Sequence, residues 1–201
     1  LEISKLASKR SACGGAATDA PAPTAGPVVC PASTVADPQG VPAGAYPYQW
    51  DLAEFEALAT GGVKFTPEAF LGKAIVLYFY PKDATPGCTT EAMQFRDRHK
   101  DFVKAGALIL GVSRDNMASH EKFKTNLELP FELIADTEEK LCHMFGVVKN
   151  KIMYGKKVKG IERSTFLIDA TGTLRGEWRG IKVAGHVDEV LKAVKLLKKA
   201  A

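Results

Sequence analysis

The residues whose types and spacing suggest chemistry lie in one short stretch, Tyr80-Pro-Lys-Asp-Ala-Thr-Pro-Gly-Cys-Thr-Thr, centred on Cys88. An apolar run, Ala74 to Tyr80, leads into it and reads as a buried central strand that Pro81 ends. A helical pattern begins at about Cys88. Cys88 therefore stands at a helix N-terminus, where unpaired N–H groups and the helix dipole favour an anion. A reactive cysteine works as its thiolate: a free thiol titrates near pH ~8.5, and helix N-termini and nearby cations lower that value. Pro86 and Gly87 form a turn that brings backbone close to the sulfur. Thr85 offers a hydroxyl that can donate to the sulfur or to an oxygen bound beside it. The chemistry this pattern suggests is nucleophilic attack by a thiolate.

The elements that must position this stretch alternate between strand and helix. Val63 to Thr66 is a short strand candidate. The helix from Cys88 runs to about Lys104, and a second buried strand spans Ala107 to Val112. A helix from about Asn116 to Asn126, capped by Asp115 or Asn116, precedes a short strand, Phe131 to Ala135. Thr137 to Phe145 reads as a helix ended by Gly146, and Val147 to Gly160 as a Lys-rich surface loop. Ser164 to Asp169 and Leu174 to Arg179 form a hairpin around Asp169-Ala-Thr-Gly. Val187 to Lys199 is an amphipathic helix. This order predicts an α/β protein of thioredoxin-like fold, a central mixed sheet flanked by helices, with its site at the carboxyl end of a central strand.

Composition sets the remaining bounds. The chain has 201 residues, 46% hydrophobic and 25% charged, with a net charge of +4. Basic and acidic residues interleave, which argues against nucleic acid as partner, and no apolar run approaches the ~18 residues of a membrane span. Residues 1–50 hold seven of the 11 prolines and read as a disordered Pro/Ala-rich extension, with residues 51–201 as the folded domain. Leu1 to Ser11 lacks an apolar core, so no secretory signal is expected. The basic, Ser/Ala-rich stretch from Leu1 to Thr18 leaves organelle targeting open. The four cysteines, Cys13, Cys30, Cys88 and Cys142, form no C-x-x-C pair and no disulfide scaffold, which fits the cytoplasm or another reducing compartment. No spacing resembles a metal site, and no cofactor is implied. His99, His120 and His143 read as surface or packing residues, and His186 as a helix-start residue.

Pro81, Thr85 and Cys88, spaced P-x-x-x-T-x-x-C, match the peroxiredoxin signature, and the string from Val76 through Thr90 resembles the bacterioferritin-comigratory-protein or PrxQ subfamily. Gly111-Val-Ser-Arg-Asp, Phe131-Glu-Leu-Ile-Ala-Asp, Phe145-Gly-Val and Gly160 to Asp169 agree with it in order, so the resemblance covers residues 51–199. It implies a thiol peroxidase reducing hydrogen peroxide and organic hydroperoxides through a sulfenic acid at Cys88. Thr85 would bind the peroxide, Pro81 shield the site, Arg163 stabilise charge and Glu91 hold Arg163. The implied partners are thioredoxin, glutaredoxin or a small thiol as reductant, in a monomer or weak dimer.

The sequence departs from the subfamily at the resolving cysteine. Met93 stands five residues after Cys88, where many members carry one, and the alternative place in the next helix holds Phe123 and Lys124. Three readings follow: a one-cysteine cycle with an external thiol, resolution by Cys142, or resolution by Cys13 or Cys30 from the tail. The first is preferred, because Cys142 sits among apolar neighbours and nothing in the sequence supports the tail cysteines. A thioredoxin-type exchange enzyme would need a second cysteine where Glu91 stands. A thioredoxin-like binding or thiol-exchange protein without peroxidase activity is the alternative.

Overall fold

The computed structural model describes residues 57–66, 72–153 and 156–200. The N-terminal extension, Cys13, Cys30 and the targeting stretch lie outside the described residues. Two short strands, β1 (Ala57–Leu58) and β2 (Lys64–Phe65), pair antiparallel around a 3-10 turn, Thr60–Gly62. The central elements follow as β3 (Ala74–Phe79), α1 (Pro86–Lys104), β4 (Ala107–Ser113), α2 (Met117–Leu127), β5 (Glu132–Ala135) and α3 (Lys140–Met144). The chain closes with β6 (Val148–Met153), β7 (Lys156–Ile161), β8 (Ser164–Ile168), β9 (Leu174–Arg179) and α4 (His186–Ala200).

Five strands form one mixed sheet in the order β5-β4-β3-β8-β9. β3 runs parallel to β4, and β4 to β5, while β8 is antiparallel to both β3 and β9. The thioredoxin-like architecture expected from the element order is thus present. Strand β3 shows why its sequence is apolar throughout. Side chains alternate across a strand, so Val76, Tyr78 and Tyr80 enter one buried cluster and Ile75, Leu77 and Phe79 the other. The first cluster contains Cys88, Phe95 and Phe102 from α1, Phe123 from α2 and Val190 and Val194 from α4. The second contains Leu141 and Cys142 from α3, with Phe145 and Phe166. Tyr78 stacks on Phe95 with ring centroids 4.6 Å apart, which fixes α1 on the strand that feeds it.

Gly111 of β4 makes that packing possible. A Cβ there would lie 2.7 Å from Leu133 Cδ2 and 2.8 Å from the Tyr78 ring. Gly111→Ala is therefore expected to destabilise the fold by about 1–3 kcal/mol, as overpacked cores do, read as a lower urea midpoint.

Two predicted elements differ. The Lys-rich segment is not a loop: β6 and β7 form an antiparallel hairpin, with Lys149 opposite Gly160 and Asn150 opposite Lys159. The helix expected over Thr137 to Phe145 shrinks to α3. Glu139 before it adopts a left-handed conformation (φ 58°), and Asp136 accepts the backbone N–H groups of Leu141 and Cys142, so the helix cannot extend toward its N-terminus.

Candidate functional site

β3 delivers the chain to Pro81, and residues 81–85 cross the carboxyl end of the sheet to α1. Thr85 is the N-cap residue and Pro86 the first helical residue, a position where a missing N–H costs nothing. Thr85 does not cap with its side chain; its hydroxyl donates to Lys82 O at 3.1 Å, leaving its lone pairs free of that bond. Cys88 lies in the first turn of α1 and is 1% exposed.

Arg163 reaches this turn from the bend between β7 and β8. Its backbone oxygen accepts from Ile181 N at 3.1 Å, which anchors the bend to the segment after β9. Its Nη2 donates to Cys88 Sγ at 3.2 Å, and its Nη1 pairs with Glu91 Oε2. The structure thus brings Cys88, Arg163 and Glu91 together, with Thr85 one turn before the sulfur. Pro81 is half-buried at the strand end. Gly87 leaves room for the guanidinium, since a Cβ there would stand 3.3 Å from Arg163 Nη2.

Glu91 is fully buried, and its second carboxylate oxygen has no hydrogen-bond partner among the described residues. Burial pushes its carboxyl up from the usual 4.5 to about 7, although Arg163 opposes the shift. The folded protein therefore holds this proton more tightly than the unfolded chain does between those values. A state that binds more protons when folded loses stability as pH rises. Wild type is expected to lose stability from this group between pH 4.5 and 7. Glu91→Gln is expected to lack that part of the slope, seen by comparing urea unfolding of the two proteins at each end of the window.

Cys142 belongs to the other side of the sheet. It is fully buried in the second core cluster, whereas Cys88 packs in the first. Burial first, then Asp136, holds its thiol far above the ordinary range. Met93, where the subfamily often has its resolving cysteine, is 37% exposed on α1. Phe123, at the alternative position, is buried.

Sequence reasoning missed a buried polar network behind the site. Asp83, midway along the loop, accepts from Tyr80 OH at 2.8 Å, Ser119 Oγ at 2.8 Å and His120 Nδ1 at 2.9 Å. His120 is fully buried, which leaves only the packing half of its sequence reading. A lone histidine on a helix carries no sequence signal for this role, because its partners are a loop residue and a carbonyl distant in sequence. His186 begins α4 as expected. Its ring accepts or donates at Thr165 Oγ1 over 2.8 Å, and burial holds it down to about 4, hence neutral. Among the described residues, no group of three or more His, Cys, Asp or Glu is placed to hold a metal ion, and no helix is long and apolar enough to cross a membrane.

The AhpC/TSA family model matches residues 50–176. The chain belongs to that family. Peroxiredoxin Bcp of Xanthomonas campestris is 52% identical over 136 residues, 68% of this chain and 85% of that protein. Peroxiredoxin Bcp of Bacillus subtilis is 56% identical over 126 residues, 63% of this chain and 80% of that protein. A solved structure of the X. campestris bacterioferritin comigratory protein, studied for its alkyl peroxide reduction activity, superposes with a TM-score of 0.70 at 48% identity. That superposition covers 73% of this chain and 94% of the other. The peroxiredoxin resemblance of Bcp/PrxQ type read from the motifs therefore stands, and with it a thiol peroxidase activity.

Proposed function

We propose that Cys88 is the peroxide-attacking residue and that the cycle uses this one cysteine, with an external thiol as reductant. The observation that carries the first part is the guanidinium of Arg163 on the Cys88 sulfur at the positive end of α1. In the first step the thiolate attacks one oxygen of a hydroperoxide. An S–O bond forms, the O–O bond breaks, and the alkoxide (or hydroxide) leaves and takes up a proton. The cysteine is oxidised to sulfenic acid and the peroxide reduced. Thr85 binds the peroxide, Arg163 balances charge on the sulfur and the leaving oxygen, Glu91 orients Arg163, and Pro81 shields the sulfur. Hydrogen peroxide and organic hydroperoxides are the substrates. A first thiol condenses with the sulfenic acid, releasing water, and a second reduces the mixed disulfide.

The one-cysteine cycle is supported by Cys142 packing in the cluster on the far side of the sheet and by Met93 on α1. Thioredoxin, glutaredoxin or a small thiol supplies the electrons to a monomer or weak dimer, in the cytoplasm or another reducing compartment. Peptide mass spectrometry after one equivalent of peroxide tests the cycle. The expected product is a trappable sulfenic acid at Cys88. A stoichiometric disulfide from Cys88 to Cys13, Cys30 or Cys142 overturns it.

A further inference from the structure

Six groups converge behind the loop that carries Pro81 and Thr85. Tyr80, Ser119 and His120 all donate to the Asp83 carboxylate. The Asp83 backbone N–H donates to Asp115 Oδ2 at 2.7 Å, and Asp115 in turn accepts from Ser113 Oγ at 2.8 Å. The other ring nitrogen of His120, Nε2, faces the backbone oxygen of Ile134 in β5 at 3.1 Å. These contacts tie the loop to α2, to the end of β4 and to β5.

The ring of His120 is constrained by what it faces. A carbonyl oxygen only accepts, so Nε2 carries a hydrogen. An ionised carboxylate only accepts, so Nδ1 carries one too. Asp83 accepts a hydroxyl on each oxygen, Tyr80 OH on Oδ1 and Ser119 Oγ on Oδ2, as an ionised carboxylate does, and although burial pushes its carboxyl up, its hydrogen-bond partners hold it below the usual range. Tyr80 is a further titratable side chain beside the ring, its OH 3.4 Å from Nδ1. Burial keeps that phenol protonated, so it remains a donor to Asp83. The result is a buried imidazolium–carboxylate pair. Losing either partner leaves an uncompensated buried charge.

The residue after Asp83 shows what the pair holds. Ala84 has φ 56°, the left-handed region that side chains with a Cβ seldom adopt. Such backbone persists only where its surroundings over-determine it. Thr85 follows directly, and its hydroxyl bond to Lys82 O spans Asp83 and Ala84. Any relaxation of Ala84 shifts that hydroxyl and the N-cap of α1.

We propose that His120, with both ring nitrogens protonated, is a positioning residue for the peroxide reaction, acting through Asp83 to hold the 81–85 loop in the shape that presents Thr85 to the substrate. This rests on the reading of Cys88 as the peroxide-attacking residue. It assigns to α2 a task at the site that none of the motif residues performs.

The test uses the full chain and compares wild type, His120→Gln, Asp83→Asn and Phe102→Leu. Phe102 lies about 21 Å along α1 from Cys88 and reports what loss of stability alone does. Three rates are measured: Cys88 oxidation by hydrogen peroxide, oxidation by an organic hydroperoxide, and Cys88 alkylation by iodoacetamide, which needs the thiolate but no peroxide site. His120→Gln and Asp83→Asn are expected to slow both oxidations about 10- to 100-fold, the cost of a displacement near 1 Å. Alkylation is expected to stay near the wild-type rate, and Phe102→Leu to keep all three rates despite a lowered Tm. Oxidation and alkylation falling together, or oxidation unchanged in both variants, overturns the proposal. Should the variants not fold, ring 15N–1H correlation spectra of wild type decide it. Hydrogen on both His120 nitrogens supports the proposal, and a singly protonated ring overturns it. Wild type that is not oxidised at Cys88 removes the underlying reading instead, and this inference with it.

Discussion

Cys88→Ser is expected to reduce peroxide consumption to the uncatalysed level, a loss of about 10⁴-fold or more, as when a catalytic nucleophile is removed. Serine keeps the shape of the first turn of α1 but has no accessible anion near neutral pH, so nothing attacks the O–O bond. The same variant keeps the Arg163–Glu91 pair and the core around residue 88, so Tm is expected to change little. Cys142→Ala makes the complementary case. That thiol lies in the cluster with Leu141, Phe145 and Phe166, not in the one that holds Cys88. Truncating it costs stability through lost packing and leaves the peroxidase rate unchanged. A chain carrying Cys13→Ser, Cys30→Ser and Cys142→Ala is expected to turn over with an external thiol as fast as wild type. Steady-state assays with hydrogen peroxide check all three. Full activity of Cys88→Ser would sink the nucleophile assignment, and loss of turnover in the triple variant would sink the one-cysteine cycle.

The difference between these two cysteines marks how far the sequence could be read. Cys88 was legible because its surroundings are local: a buried strand, a Pro-Gly turn and a helix start occupy consecutive residues. Arg163 became legible through the resemblance, and the structure adds why it belongs there. Its bend lies between β7 and β8, and β8 pairs with the β3 strand that leads to Cys88. For Cys142, helix position alone does not say which face of the sheet the helix covers; that depends on the path of the chain through α3. The β6–β7 hairpin escaped because lysines at Lys149, Lys151, Lys156, Lys157 and Lys159 mask the strand pattern. In β6 Val148 and Ile152 are the apolar residues of an alternating pattern that the polar Asn150 between them interrupts. The Asp83–His120 pair escaped for the same reason as Cys142, since a contact across 37 residues has no local signature.

Arg163→Met carries the second large effect, a loss of about 10²- to 10³-fold in the rate of Cys88 oxidation, comparable to removing one preorganised charge-stabilising donor. Arg163 serves two ends at once: one nitrogen on the Cys88 sulfur and another on Glu91. Its side chain is 14% exposed, so these contacts act where water screens them little. Methionine fills the space without the charge. The thiolate then loses its cation, the leaving oxygen loses a donor, and Glu91 is left buried without a partner. Arg163→Lys separates these losses. An ammonium restores a positive charge but not a planar fork able to bridge sulfur and carboxylate together. Lysine is expected to recover part of the rate, between methionine and wild type. Glu91→Gln supplies the remaining comparison: Arg163 keeps its charge but loses the carboxyl group that aims it, so the rate falls less than in Arg163→Met. Stopped-flow oxidation of the three variants gives the order directly. If Arg163→Met matches wild type, the guanidinium is only a structural cation at the strand end, and the charge that supports the thiolate must come from the helix terminus alone.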